Sequence, residues 1–220
     1  MNTESADILP PEAELAVAWS PPKVRAAFSI LLQLDRRLAK IVSRTTEPML
    51  GQMRLAWWRD VLKQSPAQRP RGDVVLDQIG ALWPSREESL IAMVDGWEIL
   101  IGENRLGPDD VNAFAGGRAA PFVSFAGQGD SAAGSQRAEQ AARCWALVDV
   151  AVGVSDPEER ALFLEAATVC STARGRLPGD LRGLAVLEGL ARRALRNDGA
   201  PLMAGRGAAL TALRAAIFLT

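Results

Sequence analysis

The sequence of 220 residues contains no histidine and no tyrosine. The absence of histidine excludes catalytic triads and acid–base steps that use an imidazole, and it removes the commonest zinc ligand. Cys144 and Cys170 cannot build a four-thiolate metal site, and their apolar surroundings predict buried, reduced thiols. The remaining residue types leave only hard ions such as Mg²⁺, held by carboxylates, as candidate metals.

Long apolar runs and runs of one charge sign are also missing. No apolar run reaches the roughly 18 residues of a membrane span, and the start, MNTESADILPPEAELA, lacks the basic and apolar regions of a signal peptide. The net charge of −1 argues against a nucleic-acid partner. We therefore expect a cytoplasmic protein with at most peripheral membrane contact, whose partner is a small molecule or another protein.

Helical periodicity runs through the whole chain, without an alternating strand pattern. Proline, glycine and capping residues divide it into helices at about 22–43, 48–64, 73–82, 86–103, 107–125, 133–153, 156–173, 180–197 and 201–218. The sequence thus predicts an all-α single domain over residues 1–220, with about eight or nine helices and a loosely packed segment at 1–20. The helix at 133–153 is apolar almost all round, which predicts a central position.

Two consecutive helices each place one charge inside an apolar stripe. Asp35 lies inside the stripe of the helix at 22–43. On the next helix Arg54 falls inside an apolar arc and Arg59 lies opposite, on a solvated face; the arc is made by Leu50, Met53, Trp57, Trp58, Val61 and Leu62. Since a buried lone charge is destabilising, we expect antiparallel neighbours joined by an Asp35–Arg54 ion pair. The alternative is that Arg54 lines a cavity and holds an anionic ligand such as a diphosphate.

Four further side chains are candidates for a site. Trp57 and Trp58 have core packing as their simplest interpretation, and ligand contact as the alternative. Glu98 lies at the edge of an apolar stripe. Asp149 lies on the central helix beside Trp145, and we interpret it as a carboxylate satisfied by a neighbouring arginine or a helix N-terminus.

Several stretches resemble the squalene and phytoene synthase-like family. LLQLDRRLAKIV, followed by TTEPMLGQMRLAWWRDVL, resembles the family's N-terminal region, and RLAWWRD is the most specific part. Weaker resemblances continue through SLIAMVDGWEILIGE, LGPDDVNAFAGGRAAPFVSFAG, AARCWALVDVAV and LRGLAVLEGLARRAL. The resemblance implies the all-α isoprenoid (terpenoid) synthase bundle. For active members it implies terpenoid biosynthesis by a transferase that condenses isoprenyl diphosphates, using Mg²⁺ on two DxxxD aspartate motifs.

The chain departs from these aspartate motifs. Carboxylates four residues apart share a helix face and can share a metal ion. The positions four residues from Asp35 and Asp149 carry no acid; they are Leu31, Ala39, Trp145 and Gly153. The sequence is therefore closer to a divergent, non-catalytic-looking branch of the family. That branch includes the phytoene-synthase-like assembly factor of mitochondrial respiratory complex I and its bacterial relatives.

Three hypotheses follow from this pattern. The first is a catalytically degenerate family member, a pseudoenzyme that binds a prenyl-like or other apolar ligand or acts as an assembly or interaction factor. The second is an active Mg²⁺-dependent prenyltransferase, with Asp35 and Asp149 as catalytic candidates, Glu98 as a further acid, and Arg54 holding a diphosphate near Trp57 and Trp58. The third is a helical scaffold without a ligand.

Overall fold

A computed structural model describes residues 8–102, 105–126 and 132–219. Within these ranges the chain forms ten α-helices, a 3₁₀-helix at Gly179–Leu181 and no β-strand, so the predicted all-α class is confirmed. The helices are α1 (Pro11–Trp19), α2 (Pro22–Arg44), α3 (Pro48–Lys63), α4 (Val74–Leu82), α5 (Glu87–Glu98), α6 (Pro108–Ala126), α7 (Ala132–Ala151), α8 (Pro157–Ser171), α9 (Arg182–Leu195) and α10 (Ala208–Phe218). None of these is both long and apolar enough to cross a bilayer.

Local sequence signals set where several helices begin. Proline stands in the first turn of α1, α2, α3 and α8, where its fixed φ suits the helix and its missing N–H is not needed. The side chain of Asp73 accepts the amide of Leu76 at the start of α4, and Asp156 caps α8 in the same way. These signals act within a few residues, which is why the sequence predicts most helix starts well.

The first helix corrects one prediction. The sequence predicts a loosely packed segment at 1–20, but residues 11–19 form α1 and bury Ala13 and Ala16 against α9. A Cβ atom at Gly183 of α9 would lie 2.7 Å from the carbonyl oxygen of Ala16, so the two backbones approach closely. Small residues carry little hydrophobic signal, and the packing of α1 is therefore invisible in the periodicity. Residues 1–7 lie outside the described ranges.

Helices α6 and α7 form the middle of the structure. Helix α6 packs between α5 and α7, and α7 also packs on α8 and α9. Half of the α7 residues are buried, including Ala138, Cys144, Trp145 and Val148. The predicted central position of this helix is confirmed. Helix α2 contacts α1, α3, α4 and α5, and its buried face points toward the interior of the helical structure.

A glycine contact sets the distance between α5 and α6. A Cβ atom at Gly117 would lie 2.5 Å from the carbonyl oxygen of Ala92, and one at Gly96 would lie 3.1 Å from the Cα of Gly117. Only glycine allows the two backbones to touch in this way. The crossing brings Arg118, the residue after Gly117, directly against Trp97, the residue after Gly96.

The two cysteines are free thiols. Cys144 is buried as predicted, whereas Cys170 is only half-buried. Burial raises the pKa of the Cys144 thiol to about 12, and burial also raises the pKa of Cys170. Because the thiolate is the reactive form, raised pKa values lower the reactivity of both side chains at neutral pH.

Candidate functional site

The carboxylate of Asp35 lies at the centre of the candidate site. It is on the inner face of α2, where the residue is 6% exposed. Arg118 donates from Nε to Oδ1 at 2.9 Å and from Nη2 to Oδ2 at 2.7 Å. The indole Nε1 of Trp97 donates to Oδ1 at 2.8 Å. Both carboxylate oxygens are thus engaged, and the buried charge is neutralised by a two-pronged guanidinium contact.

The same guanidinium also reaches helix α7. Its Nη2 donates to Oδ2 of Asp149 at 2.8 Å, and its Nη1 donates to the carbonyl oxygen of Ala146 at 2.9 Å. Arg118 therefore ties α2, α6 and α7 together, with its charge between Asp35 and Asp149. The interpretation of Asp149 as a carboxylate satisfied by a neighbouring arginine matches this geometry.

Two indole rings enclose the guanidinium of Arg118. Its Cζ lies 4.3 Å from the ring centre of Trp145 and 4.7 Å from that of Trp97, within the range of cation–π attraction. Burial alone would lower the pKa of Arg118, but the charges of Asp35 and Asp149 outweigh burial and raise the pKa above its ordinary value. The side chain is thus a permanent cation in the interior.

A cleft of about 690 Å³ opens beside this network. Its volume falls within the roughly 300–1,000 Å³ typical of small-molecule sites. The wall is largely apolar, with side chains from α2, α5, α7 and the segment between α7 and α8 that include Ala39, Val42, Trp97, Val150 and Val154. Asp149 borders the cleft with a side chain that is 31% exposed, so the network and the cleft share this carboxylate.

Glu12 of α1 faces the same cleft. It also borders a smaller cavity of about 70 Å³ that Asp35 and Asp149 line. Burial raises the pKa of Glu12, and the negative charge of Asp149 raises it further, while Arg36 opposes this shift. Asp149 and Glu12 thus come from two distant parts of the chain to one end of the cleft.

The predicted Asp35–Arg54 ion pair is wrong. Arg54 is exposed on the outer face of α3, and the partner of Asp35 stands 83 residues away in sequence, at Arg118. A Cβ atom at Gly51 would lie 2.7 Å from the side chain of Ile101, so the start of α3 packs closely through its glycine. The buried face of α3 therefore differs from the predicted arc. The buried residues are Gly51, Leu55, Trp58, Val61 and Leu62.

The other candidate residues on or next to α3 also differ from the prediction in which of them are buried. Trp58 is buried, as core packing requires, but Trp57 is 44% exposed and touches the edge of the Trp58 ring. Arg59 was predicted on a solvated face, yet its Nε donates to Asp95 at 2.6 Å and its Nη2 pairs with Glu98. Glu98 is therefore an ion-pair partner of α3. None of Arg54, Trp57, Trp58 and Glu98 borders the cleft.

Sequence reasoning missed Arg118 and Glu12. A signal for Arg118 exists in AFAGGRAAPF, where one arginine follows two glycines on an otherwise apolar helix. A charge in that position needs a partner from another helix. Glu12 carries no comparable signal, because it lies in the first turn of a short helix whose buried residues are small alanines and whose buried face is not evident from periodicity.

Residues 12–115 match the family model described as squalene/phytoene synthase, which supports a squalene/phytoene synthase-like family for this part of the chain. The match runs from α1 into the first half of α6, so it includes Asp35 and Trp97 and ends before Arg118 and Asp149. An all-helical structure agrees with the isoprenoid synthase type of fold. No curated protein and no solved structure matches the chain.

The residues around Asp35 do not suit the magnesium ions that the family resemblance implies. Mg²⁺ requires several oxygen ligands in near-octahedral geometry, with protein carboxylates free to bind it. Asp35 has both oxygens on Arg118 and Trp97, and Asp149 has one oxygen on Arg118. Over the described ranges, no group of three or more His, Cys, Asp or Glu side chains is placed to hold a metal ion. Arg118 already supplies the positive charge between the two aspartates.

Proposed function

We propose that this squalene/phytoene synthase-like protein has lost metal-dependent condensation of isoprenyl diphosphates and binds a prenyl-like or other apolar ligand in the cleft beside Asp149. The observation that carries the proposal is the position of Arg118. Its guanidinium engages both Asp35 and Asp149, the two acids at which the family resemblance would put metal ions.

The chemistry of the network supports the loss of metal binding. Replacing Arg118 by a hydrated Mg²⁺ on Asp35 would leave the guanidinium without its main partner in a buried, apolar setting. An unpaired buried charge is strongly destabilising, so the exchange is opposed by the fold itself. A family member that condenses diphosphates needs the opposite arrangement, with carboxylates that are free to accept metal ions.

The cleft supports retained ligand binding. A helical scaffold without a ligand has no need for an opening of about 690 Å³ lined by Ala39, Val42 and Val150. Such an apolar wall gains free energy when it is covered by a hydrocarbon chain, at roughly 25 cal/mol for each Å² removed from water. The scaffold hypothesis is therefore less well supported than ligand binding.

The first test is a turnover assay with farnesyl diphosphate and geranylgeranyl diphosphate in the presence of Mg²⁺. We expect no condensation product above the level of a control without protein, because Asp35 is not free to bind metal. Robust formation of a condensation product would overturn the loss of metal-dependent chemistry and favour the active-prenyltransferase alternative.

The second test measures binding of farnesol by native mass spectrometry and calorimetry. Ala39→Phe and Val42→Phe each place a ring in the cleft and should weaken binding at least about tenfold by filling the apolar site. Val169→Phe is the matched control, because Val169 is exposed on α8 and does not border the cleft. Equal affinity in all three variants would show that farnesol does not bind there.

The outer face of α3 favours assembly or interaction as a second candidate function. It leaves four large apolar side chains exposed on one helix; they are Met49, Leu50, Met53 and Trp57. Contiguous exposed apolar surface is typical of protein contact sites. A partner that binds this face should be lost in Met53→Glu, while farnesol binding in the cleft should be unchanged. Loss of farnesol binding in that variant would contradict the separation of the two surfaces.

A further inference from the structure

The charged residues that line the cleft are mostly acidic. Among the described residues that line it, four are carboxylates and one is a guanidinium; they are Glu12, Asp149, Asp156, Glu159 and Arg36. The guanidinium of Arg118 lies behind Asp149 and is already shared between two aspartates. A diphosphate entering without a metal ion would therefore meet negative charge at close range, which is unfavourable at any realistic protein dielectric.

The helix N-terminus beside the cleft is also closed to phosphate. The first turn of α8 presents the free amides that commonly bind phosphate groups. The carboxylate of Asp156 already accepts the amides of Glu158 and Glu159 through Oδ1, at 2.9 Å each. Asp156 is further held by Arg105, whose Nη2 lies 3.3 Å from Oδ1. The chain's own carboxylate thus fills the anion position at this helix end.

Asp149 retains hydrogen-bonding capacity toward a ligand. Its Oδ2 accepts Arg118, but within the described ranges its Oδ1 accepts no hydrogen bond, and the side chain is 31% exposed at the cleft wall. An ionised carboxylate is a strong acceptor for hydroxyl and ammonium donors. Glu12 faces the same space, so two acceptors converge there from α1 and α7.

We infer that the ligand is an apolar molecule whose polar end is a hydrogen-bond donor, either a protonated amine or a hydroxyl group, and that the cleft selects against a diphosphate end. The inference rests on the ligand-binding function proposed above. In the bound complex the apolar chain covers the wall formed by Ala39, Val42 and Val150, and the donor lies against Asp149 and Glu12. A protonated amine gains the charge attraction in addition to the hydrogen bond, so it binds more tightly than the alcohol.

The test compares three probes that share one hydrocarbon chain: farnesylamine, farnesol and farnesyl diphosphate. Affinities are measured by calorimetry on the full chain at neutral pH, with the diphosphate tested both with and without Mg²⁺. We expect farnesylamine to bind most tightly and farnesyl diphosphate to bind at least about tenfold more weakly than farnesol.

Two variants locate the effect. Asp149→Asn should reduce the preference for farnesylamine over farnesol and relieve the discrimination against the diphosphate, because it removes a negative charge at constant shape. Glu12→Gln should act in the same direction and does not disturb the partners of Arg118. Glu14→Gln is the matched control, since Glu14 is exposed on the same short helix and does not border the cleft.

The outcomes separate the two proposals. If none of the probes binds, or if Ala39→Phe leaves their binding unchanged, the proposed function fails. If the probes bind in the cleft but the diphosphate binds as tightly as the alcohol, with or without Mg²⁺, only the inference about the polar end fails. Unchanged probe preference in both Asp149→Asn and Glu12→Gln also overturns it.

Discussion

Among the buried charges of the described residues, two networks differ in what lies beside them. The first joins Asp35, Arg118 and Asp149 and borders the apolar cleft. The second joins Arg137 of α7 to Glu188 of α9, with Nη2 and Oε2 2.6 Å apart and side chains that are 5% and 0% exposed. Both follow the rule that charges inside proteins are paired.

The second network has a purely structural arrangement. Arg192 Nη2 lies 2.8 Å from the other oxygen of Glu188, close enough for an ion pair although not aligned for a hydrogen bond. Arg137 and Arg192 also donate to the carbonyl oxygens of Gly175 and Ala173, at 2.9 and 2.7 Å. The two arginines that pair with Glu188 therefore link α7 and α9 to the segment that follows α8. Neither Arg137 nor Glu188 borders the large cleft.

The contrast shows that burial of charge alone does not identify a functional site. Glu188 is more completely buried than Asp149, yet it does not border the cleft of about 690 Å³. Asp149 shares its partner with Asp35 and still presents part of its side chain to a cavity of ligand size. Access from the cleft is what distinguishes the Asp149 network, since one oxygen of Glu188 likewise accepts no hydrogen bond.

The largest expected effect comes from removing the shared cation. Arg118→Leu leaves Asp35 buried without its partner, and we expect a loss of roughly 3–5 kcal/mol in the free energy of unfolding. Urea denaturation measures this loss. Arg54→Leu is the control, because Arg54 is exposed, and its effect should stay within about 0.5 kcal/mol. Similar losses in both variants would contradict the assignment of Arg118 as the partner of Asp35.

A smaller effect is expected in the second network. Arg137→Leu leaves Glu188 beside Arg192, which keeps the buried carboxylate partly compensated. We expect a loss of about 2 kcal/mol in the same urea experiment. The variant should bind farnesol like the unmodified protein, because Arg137 does not border the cleft. Weakened farnesol binding in a folded Arg137→Leu protein would contradict the claim that only the Asp149 network borders the ligand site.

The smallest effect concerns the pH dependence at Glu12. Burial raises the pKa of Glu12 in the folded state, with a further contribution from Asp149. A raised pKa means that the protonated form favours folding, so the stability from this group is lost as pH rises through the folded pKa. Glu12→Gln should therefore raise the melting temperature at neutral pH, and the difference should shrink toward about pH 4, near the ordinary glutamate pKa.

Glu14→Gln on the same helix provides the control for this measurement. Its side chain is exposed, so we expect no comparable change in melting temperature at either pH. A lower melting temperature for Glu12→Gln at neutral pH would show that the ionised Glu12 carboxylate stabilises the fold, contrary to its raised pKa.

The behaviour of α3 shows where sequence reasoning reached its limit. Helix α3 has more apolar residues than one face can bury, and two overlapping arcs compete for the core. Periodicity favours the arc that contains Met53 and Trp57, whereas the structure buries the arc through Gly51, Leu55 and Trp58. A helical wheel treats every apolar residue as equal, but the close approach of α3 at Gly51 depends on the neighbouring side chain of Ile101.

In the candidate site, too, the sequence indicates some residues but not their partner. Asp35 and Asp149 stand out in the sequence because each places a carboxylate in an apolar helical environment. Their common partner does not follow from either helix, since Arg118 is positioned by the Gly96–Gly117 contact between α5 and α6. A pairing across 83 residues depends on how helices cross, which a single sequence does not encode in any local pattern.

The sequence by itself determined the all-α class, most helix boundaries, the central position of α7 and the family resemblance, because these depend on periodicity, capping and short motifs. Only the tertiary structure decided which charge meets which, which face of α3 is buried, and that a cleft adjoins Asp149. Those features arise from close packing between distant helices. Because the interior is closely packed, a single glycine contact or a shared guanidinium between two helices decides which side chains meet nearby.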